Sequence, residues 1–453
     1  MKFFLFLLIS LGSARFIPPH LTDSDPIKQD QNVKRFLQKR EVFIRLHAEL
    51  IGYPVTPDHL EIKESDNPFV FEGDILYTEE QLDEKIENLR HQILLKNHPG
   101  SVRSKRSFVS DLSKTWPLPI FYEITSSVPR FDILEAIDFW EAHTCLIFME
   151  SDTHSPRMVF RSTGFGCSSY LGFQNNAQTV SLDAGCWSLH TITHEMEHAM
   201  GVEHEHNRAD RDDYVKIIWE KIREGDKHNF NMMSYSGMNG YAVGYDYGSV
   251  MHYRGTAWPV VFNETTIETI DPNYQKTIGQ EGPPSFADVK RMNHAYCGTV
   301  CDSAPLLACK NGGYMDPKNC ATCKCPPGFA GQLCGGVQNG GSECGPRVLT
   351  ANSTFQTVSA IGNLTCYYVI TAPQNTQIRF QVTNMTIPGG NIPTVDYSCF
   401  SYLEINYGED FTYTGPRYCD TLVPTVNRSK TNKMVLIYKG SVVSSFTLRY
   451  RSI

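Results

Sequence analysis

The stretch His194-Glu195-Met196-Glu197-His198-Ala199-Met200-Gly201-Val202-Glu203-His204 constrains this 453-residue chain more tightly than any other. Its three histidines stand at offsets 0, 4 and 10. Side chains four apart share one face of a helix, so the spacing predicts a helix through His194 and His198 that turns both imidazoles toward one point. Gly201 is free to take the positive φ that ends a helix, and the chain can then double back to bring His204 in from the other side. Three neutral nitrogens leave a fourth position open on a zinc ion, the arrangement of a catalytic rather than a structural site. Glu195 lies about 100° around the helix from His194. That places it within reach of a metal-bound water without making it a ligand.

The ends and the composition set the compartment. Met1-Lys2, an apolar run from Phe3 to Leu11 and then Gly12-Ser13-Ala14 describe a secretory signal peptide over residues 1–14. That run is too short to span a bilayer, and no later stretch reaches the roughly 18 apolar residues of a membrane span. The product is therefore expected to be secreted and extracellular, with no membrane span. The chain carries 41 Lys plus Arg against 49 Asp plus Glu, which opposes nucleic acid as a partner. Fourteen cysteines in such a protein read as seven disulfides. Sequons at Asn263, Asn352, Asn363, Asn384 and Asn427 fit glycosylation in the same compartment. Cysteine is absent before Cys145, which sets an N-terminal segment apart.

Beyond the histidines the chain continues Glu205-His206-Asn207-Arg208-Ala209-Asp210-Arg211-Asp212-Asp213-Tyr214, and Ser249-Val250-Met251-His252-Tyr253 follows later. A long zinc motif followed by a methionine turn is the metzincin signature. With Glu directly after the third His and a Met-His-Tyr turn, the chain resembles one metzincin branch, the astacins, and its module order is most like that of nematode astacins. The resemblance implies an α+β metzincin catalytic domain with a zinc helix and a Met-turn, holding one zinc ion per subunit on His194, His198 and His204. It implies Glu195 as general base, Met251 as an apolar floor beneath the metal, and Tyr253 as a phenol that leaves zinc to hold the tetrahedral intermediate. It also implies Glu205 as the partner of a buried new N-terminus.

That N-terminus would come from a zymogen. Residues 15–106 read as a propeptide: they are polar, show helical periodicity around Glu79 to Lys96, and end in Arg103-Ser104-Lys105-Arg106. Cleavage after Arg106 would leave Ser107 as the first residue. Phe71-Glu72-Gly73-Asp74-Ile75 resembles the astacin pro-segment motif whose aspartate occupies the open zinc position, which assigns Asp74 as a zinc ligand of the zymogen.

Residues 107–297 form the expected peptidase domain. Ile133, Ile137 and Trp140 predict a helix over 132–143. Leu146-Ile147-Phe148 and Met158-Val159-Phe160 read as strands, and 166–186 as strand–loop–strand. Its four cysteines allow three connectivities. The resemblance selects Cys145–Cys297 and Cys167–Cys186, the first closing a loop worth about 4 to 5 kcal/mol in the chain-entropy model. Residues 298–335 hold Cys301, Cys309, Cys320, Cys323, Cys325 and Cys334 and resemble an EGF-like module, implying pairs 301–320, 309–323 and 325–334. A segment so small depends on such staples. A Gly-rich linker over 335–341 leads to residues 344–453. There Cys344, Cys366, Cys399 and Cys419 lie among β-prone runs such as 377–382 and 434–438. This part resembles a CUB β-sandwich, implying pairs 344–366 and 399–419. Phe400-Ser401-Tyr402-Leu403-Glu404 lacks the aspartate with which many CUB modules bind calcium.

The expected protein is a secreted zinc metalloendopeptidase, made as a zymogen, that hydrolyses extracellular protein substrates, with EGF-like and CUB modules to dock substrate or matrix. The rival classes are a binding protein that keeps the fold without activity, and a matrix- or receptor-docking protein in which catalysis is incidental. Intact His194, Glu195, His198, His204 and Tyr253 oppose the first. Val202, His206, Ala209 and Trp258-Pro259 depart from the residues many relatives carry there, so subsite preference does not transfer.

Overall fold

In the computed structural model, the residues described are 31–55, 60, 69–97, 115–233, 243–388, 390–392, 395–419 and 426–453, with backbone alone over 390–392 and 395–398. The expected signal peptide, Arg106 and Ser107 lie outside the described residues.

Among the described residues, two helices and a hairpin make up the N-terminal segment. Helix α1 (Gln31–Ile51) and helix α2 (Glu79–Asn97) flank strands β1 (Val70–Phe71) and β2 (Ile75–Leu76). Phe36, Phe43 and Ile44 of α1 meet Phe71, Ile75, Leu82, Ile86 and Leu89 in one small core. Helix α2 begins and ends close to the periodicity read from the sequence. Helix α1 has no counterpart in that reading, although Val33, Phe36, Phe43, Ile44, His47 and Ala48 give it a buried face.

The hairpin does not stand alone. Strand β2 pairs in parallel with β6 (Cys167–Tyr170), so the N-terminal segment completes a seven-stranded sheet. The order runs β1, β2, β6, β7 (Ala177–Leu182), β5 (Arg157–Arg161), β3 (Ile120–Ile124), β4 (Phe148–Glu150). Strands β3, β4, β5 and β7 run parallel, and β6 is antiparallel to β7. The expected strand at 146–148 starts only at Phe148, since Leu146 turns inward to the core and Ile147 is outside the ladder except for its carbonyl, which accepts the Ile120 N–H at 2.8 Å.

Helix α3 (Arg130–His143) and helix α4 (Leu189–Ala199) cover this sheet. Ile133, Ile137 and Trp140 of α3 share one core with Met158, Phe160, Val180 and Leu182 of the sheet and Ile192, Met196 and Ala199 of α4. A second, less regular half holds the short pair β8 (Val215–Ile217) and β9 (Ile267–Thr269) and ends in helix α5 (Phe286–Cys297). Disulfides join Cys145 to Cys297 and Cys167 to Cys186.

The next module is two small hairpins, Tyr314–Asp316 with Asn319–Lys324 and Phe329–Ala330 with Gly336–Val337. Bridges 301–320, 309–323 and 325–334 hold it. Gly336 and Val337, read as linker, are thus the closing strand of this module. The C-terminal part stacks a five-stranded sheet on a four-stranded one around Tyr368, Ile370, Phe380, Leu436, Phe446 and Leu448. Cys344–Cys366 and Cys399–Cys419 are bonded there. The runs read as strands extend to Ile378–Thr386 and Lys433–Lys439.

Candidate active site and metal centre

Helix α4 can present its histidines because its other face is fixed. Ser188 caps it, accepting the Thr191 N–H at 3.1 Å. Ile192, Met196 and Ala199 anchor it in the core, which leaves His194 and His198 on the opposite side. Gly201 takes φ +104° and its N–H returns to the His198 carbonyl at 2.9 Å, so the chain turns and His204 comes back toward the helix.

Each of these imidazoles is held through Nδ1. His194 faces the Val250 carbonyl at 2.9 Å and His198 the Val202 carbonyl at 2.7 Å. His204 faces the Glu72 carboxylate at 3.2 Å. Such partners fix ring orientation and tautomer and leave Nε2 for a metal. The Nε2 atoms converge on Asp74, at 3.3 Å from His194, 3.6 Å from His198 and 3.3 Å from His204. One ligand atom from each of the four residues lies within 4.8 Å of the others. Asp74 Oδ1, His198 Nε2 and His204 Nε2 are buried without a hydrogen-bond partner among the described residues. Buried polar atoms aimed at one point without bonding one another call for an ion, and three imidazoles with a carboxylate suit zinc.

Glu195 is buried beside this cluster with Oε2 unpartnered among the described residues. Burial, and then the charge of Asp74, pushes its carboxyl well above the usual range. Its place beside the convergent imidazoles suits it to moving a proton at a water held there. Met251 is fully buried, and its carbonyl accepts the Glu205 N–H at 2.9 Å. The Tyr253 ring stacks on His206 at 3.8 Å and lies 4.7 Å from the His204 ring. Its hydroxyl donates to the Glu72 carbonyl.

Asp74 reaches the centre on a tight turn. Glu72 and Gly73 both have positive φ, +53° and +84°, and the Asp74 N–H closes on the Phe71 carbonyl at 3.2 Å. Gly73 passes so close to the site that a Cβ there would lie 2.8 Å from Trp258 Cζ2 and 3.3 Å from the Tyr253 oxygen. Glu72, named in the sequence only as part of the motif around Asp74, is the most heavily bonded residue of the turn. Its carboxylate accepts from Asn207 at 2.8 Å and from Tyr77 at 3.0 Å, and Lys85 approaches to 3.6 Å. Its own N–H donates to Asn229 Oδ1 at 3.0 Å.

Glu205 also has partners that sequence reasoning missed. Arg291 of α5 donates to Oε2 at 2.9 Å and the Asp246 N–H to Oε1 at 2.8 Å. In this form of the chain, then, Glu205 is paired internally. The capping box of α5 (Ser285 with Asp288) was a readable signal for the helix that delivers Arg291. Asp288 in addition accepts from the Ser249 hydroxyl at 2.7 Å and the Val250 N–H at 2.9 Å, which ties α5 to the turn before Met251.

Residues 108–297 match the model of the astacin family of peptidases. Zinc metalloproteinase nas-34 of Caenorhabditis elegans is 41% identical over 94% of this chain and 72% of its own length. Zinc metalloproteinase dpy-31 of the same species is 35% identical over 87% of this chain and 67% of its own. Among solved structures, high choriolytic enzyme 1, a hatching-enzyme zinc protease of the medaka Oryzias latipes, is 32% identical. It covers 41% of this chain and 96% of its own, with a TM-score of 0.39. A zinc-ready cluster on the expected motif, and relatives of this identity along nearly the whole chain, place the protein in the astacin family of zinc metalloproteinases.

Proposed function

We propose that the chain is a secreted astacin-type endopeptidase made as a zymogen, in which residues 15–106 form a pro-segment that blocks the site with Asp74. The observation that carries this reading is the Asp74 carboxylate standing at the point where His194, His198 and His204 Nε2 converge. His194, His198 and His204 would hold zinc, which when bound supplies Lewis acidity and an acidified water. Asp74 would fill the open position until the pro-segment leaves. The Glu195 carboxylate would take a proton from the attacking water and return it to the leaving amine. The Tyr253 hydroxyl would donate to the developing oxyanion, usually the dominant stabilisation in acyl transfer. Met251 would close the floor of the site.

Latency reaches past the metal ligands. The Glu72 carbonyl engages the Tyr253 hydroxyl and the Glu72 carboxylate engages His204, so the pro-segment occupies the oxyanion donor as well as the ligand set. Cleavage after Arg106, freeing Ser107, would remove all of these together. Ser107 would then compete with Arg291 for Glu205.

The substrates would be extracellular proteins, with the EGF-like module and the CUB sandwich available to dock substrate or matrix. Among the described residues no helix is long and apolar enough to cross a membrane. The sequon residues Asn263, Asn352, Asn363 and Asn384 are exposed and Asn427 is half-buried, which supports sugar at the first four.

The test uses the full chain with a fluorogenic peptide. Uncleaved wild type should be silent, uncleaved Asp74→Ala should hydrolyse the peptide, and a chelator should abolish that activity until zinc is restored. An uncleaved Asp74→Ala chain as silent as wild type, but active once cleaved, would remove Asp74 from the latency device.

A further inference from the structure

The turn that carries Val250, Met251 and Tyr253 is fastened both from within the central domain and from outside it. Val250 orients His194 through its carbonyl, and Asp288 of α5 holds Ser249 and Val250 from behind. The other anchor is Asp246, which is fully buried. Its N–H donates to Glu205 at 2.8 Å, and its carboxylate accepts from the Gly248 N–H at 3.1 Å. The Ser285 side chain also bonds its carboxylate, and two more donors come from the C-terminal sandwich: the Thr414 N–H reaches Oδ1 at 2.9 Å and the Thr414 hydroxyl reaches Oδ2 at 3.1 Å. Beside them the Gly244 N–H donates to the Tyr413 hydroxyl oxygen at 2.8 Å.

The contact is tight on both sides. A Cβ on Gly248 would come 2.3 Å from Thr414 Oγ1, and one on Gly244 would come 2.8 Å from the Tyr413 oxygen. The sandwich loop is itself braced. The Tyr413 carbonyl accepts from Asn406 at 2.7 Å and the Gly415 N–H donates to Glu404 at 3.0 Å. Around it the two domains share further bonds, Tyr407 to Asp271 at 2.8 Å and the Arg417 N–H to Thr277 at 2.9 Å. A buried carboxylate is costly to leave short of donors, so Thr414, which supplies two of them, helps to fix Asp246 and the turn after it.

We propose that Thr414 is a positioning residue of the peptidase site, through which the C-terminal sandwich, by way of Asp246, sets the turn bearing the Val250 carbonyl and Tyr253. The sandwich is then a working part of the catalytic unit and not solely an arm for substrate. The inference rests on the peptidase reading above, and Tyr253 and His194 are the groups it acts through.

The experiment compares wild type, Thr414→Val, Thr414→Ser and a Glu195→Ala blank, each as the full chain with the pro-segment removed. The substrate is a fluorogenic peptide too short to touch the sandwich. Valine keeps the shape and the backbone donor and deletes only the hydroxyl, and serine restores the hydroxyl. Because small displacements of reacting groups cost rate rather than binding, Thr414→Val should lower kcat about three- to tenfold with KM within about twofold. Amide exchange across 243–253 should rise in the same variant. Thr414→Ser should return both readouts to wild type. A wild-type kcat for Thr414→Val, or a change confined to KM, overturns the proposal. Wild type as inactive as the Glu195→Ala blank would instead defeat the peptidase reading. Should Thr414→Val fail to accumulate, Tyr413→Phe, which removes the acceptor for Gly244, takes its place under the same criteria.

Discussion

Replacing Gly73 by alanine isolates the turn that delivers Asp74 without touching Asp74 itself. Two costs can be worked out from the structure. Residue 73 has φ +84°, and a left-handed conformation costs a residue with a Cβ about 1 kcal/mol or somewhat more. The added Cβ would also sit 2.8 Å from Trp258 Cζ2 and 3.3 Å from the Tyr253 oxygen. Overpacking of this kind costs about 1 to 3 kcal/mol. Trp258 cannot withdraw freely, because its carbonyl accepts the Arg223 N–H at 3.1 Å and the next residue bridges to Ile222. The sum is roughly 2 to 4 kcal/mol, so affinity of the pro-segment should fall about 30- to 700-fold at about 1.4 kcal/mol per decade. The assay is inhibition of the cleaved enzyme by added pro-segment polypeptide, native against Gly73→Ala. Equal inhibition constants would refute the packing argument, and with it the view that the hairpin enters the cleft as described.

Glu195→Ala should reduce peptidase activity by about 10² to 10⁴ while bound zinc, measured by metal analysis, stays near one per chain, since the residue is assigned proton transfer and no coordination. Loss of zinc in that variant would reassign it. Tyr253→Phe should lower kcat of the cleaved enzyme about 10²- to 10³-fold with KM nearly unchanged, and an unaltered kcat would return Tyr253 to a packing role. The grip of the pro-segment should weaken in acid. Burial opposes ionisation of Glu72, but Lys85, His204 and Asn207 outweigh it and hold the carboxyl at about 2 against an ordinary 4.5. The stabilisation is therefore complete above pH 4.5 and is lost as pH falls toward 2. Pro-segment affinity measured through that window should slope for wild type and less steeply for Glu72→Gln, and parallel profiles would count against the assignment. The remaining slope belongs to Asp74, whose carboxyl, burial notwithstanding, the three imidazoles also hold down.

The metal centre was legible because its information is local. Offsets of four and ten residues fix where His198 and His204 stand relative to His194, and Gly201 marks the turn between them. The aspartate that faces them was legible only through its five-residue context, since its partners lie 120 and more positions away. Glu72, Asn207, Asn229 and Arg291 left no comparable mark. They are ordinary polar residues whose task arises from burial and from contacts such as Glu72–His204 at a separation of 132, which no periodicity encodes. Helix α1 escaped for a related reason, since the residues that cover its buried face belong to the hairpin and to α2, far along the chain. The strand at 146–148 was misplaced because three consecutive apolar residues do not say which of them faces the core and which the ladder. The dependence of the turn before Tyr253 on Thr414 links residues of two domains and could not have been read from either alone.

The pairing of β2 with β6 has a consequence for colloidal behaviour. While the hairpin is present, the Ser169 and Leu171 N–H groups donate to Asp74 and Leu76 carbonyls, and the border of the sheet on that side is the two-residue strand β1 instead of β6. If the hairpin leaves on cleavage as proposed, β6 would become a bare edge, the kind of surface that recruits any extended chain, including another copy of itself. The cleaved enzyme should accordingly be stickier than its precursor, more prone to self-association on storage and at high concentration. The leader would then serve as a solubility cover during passage out of the cell.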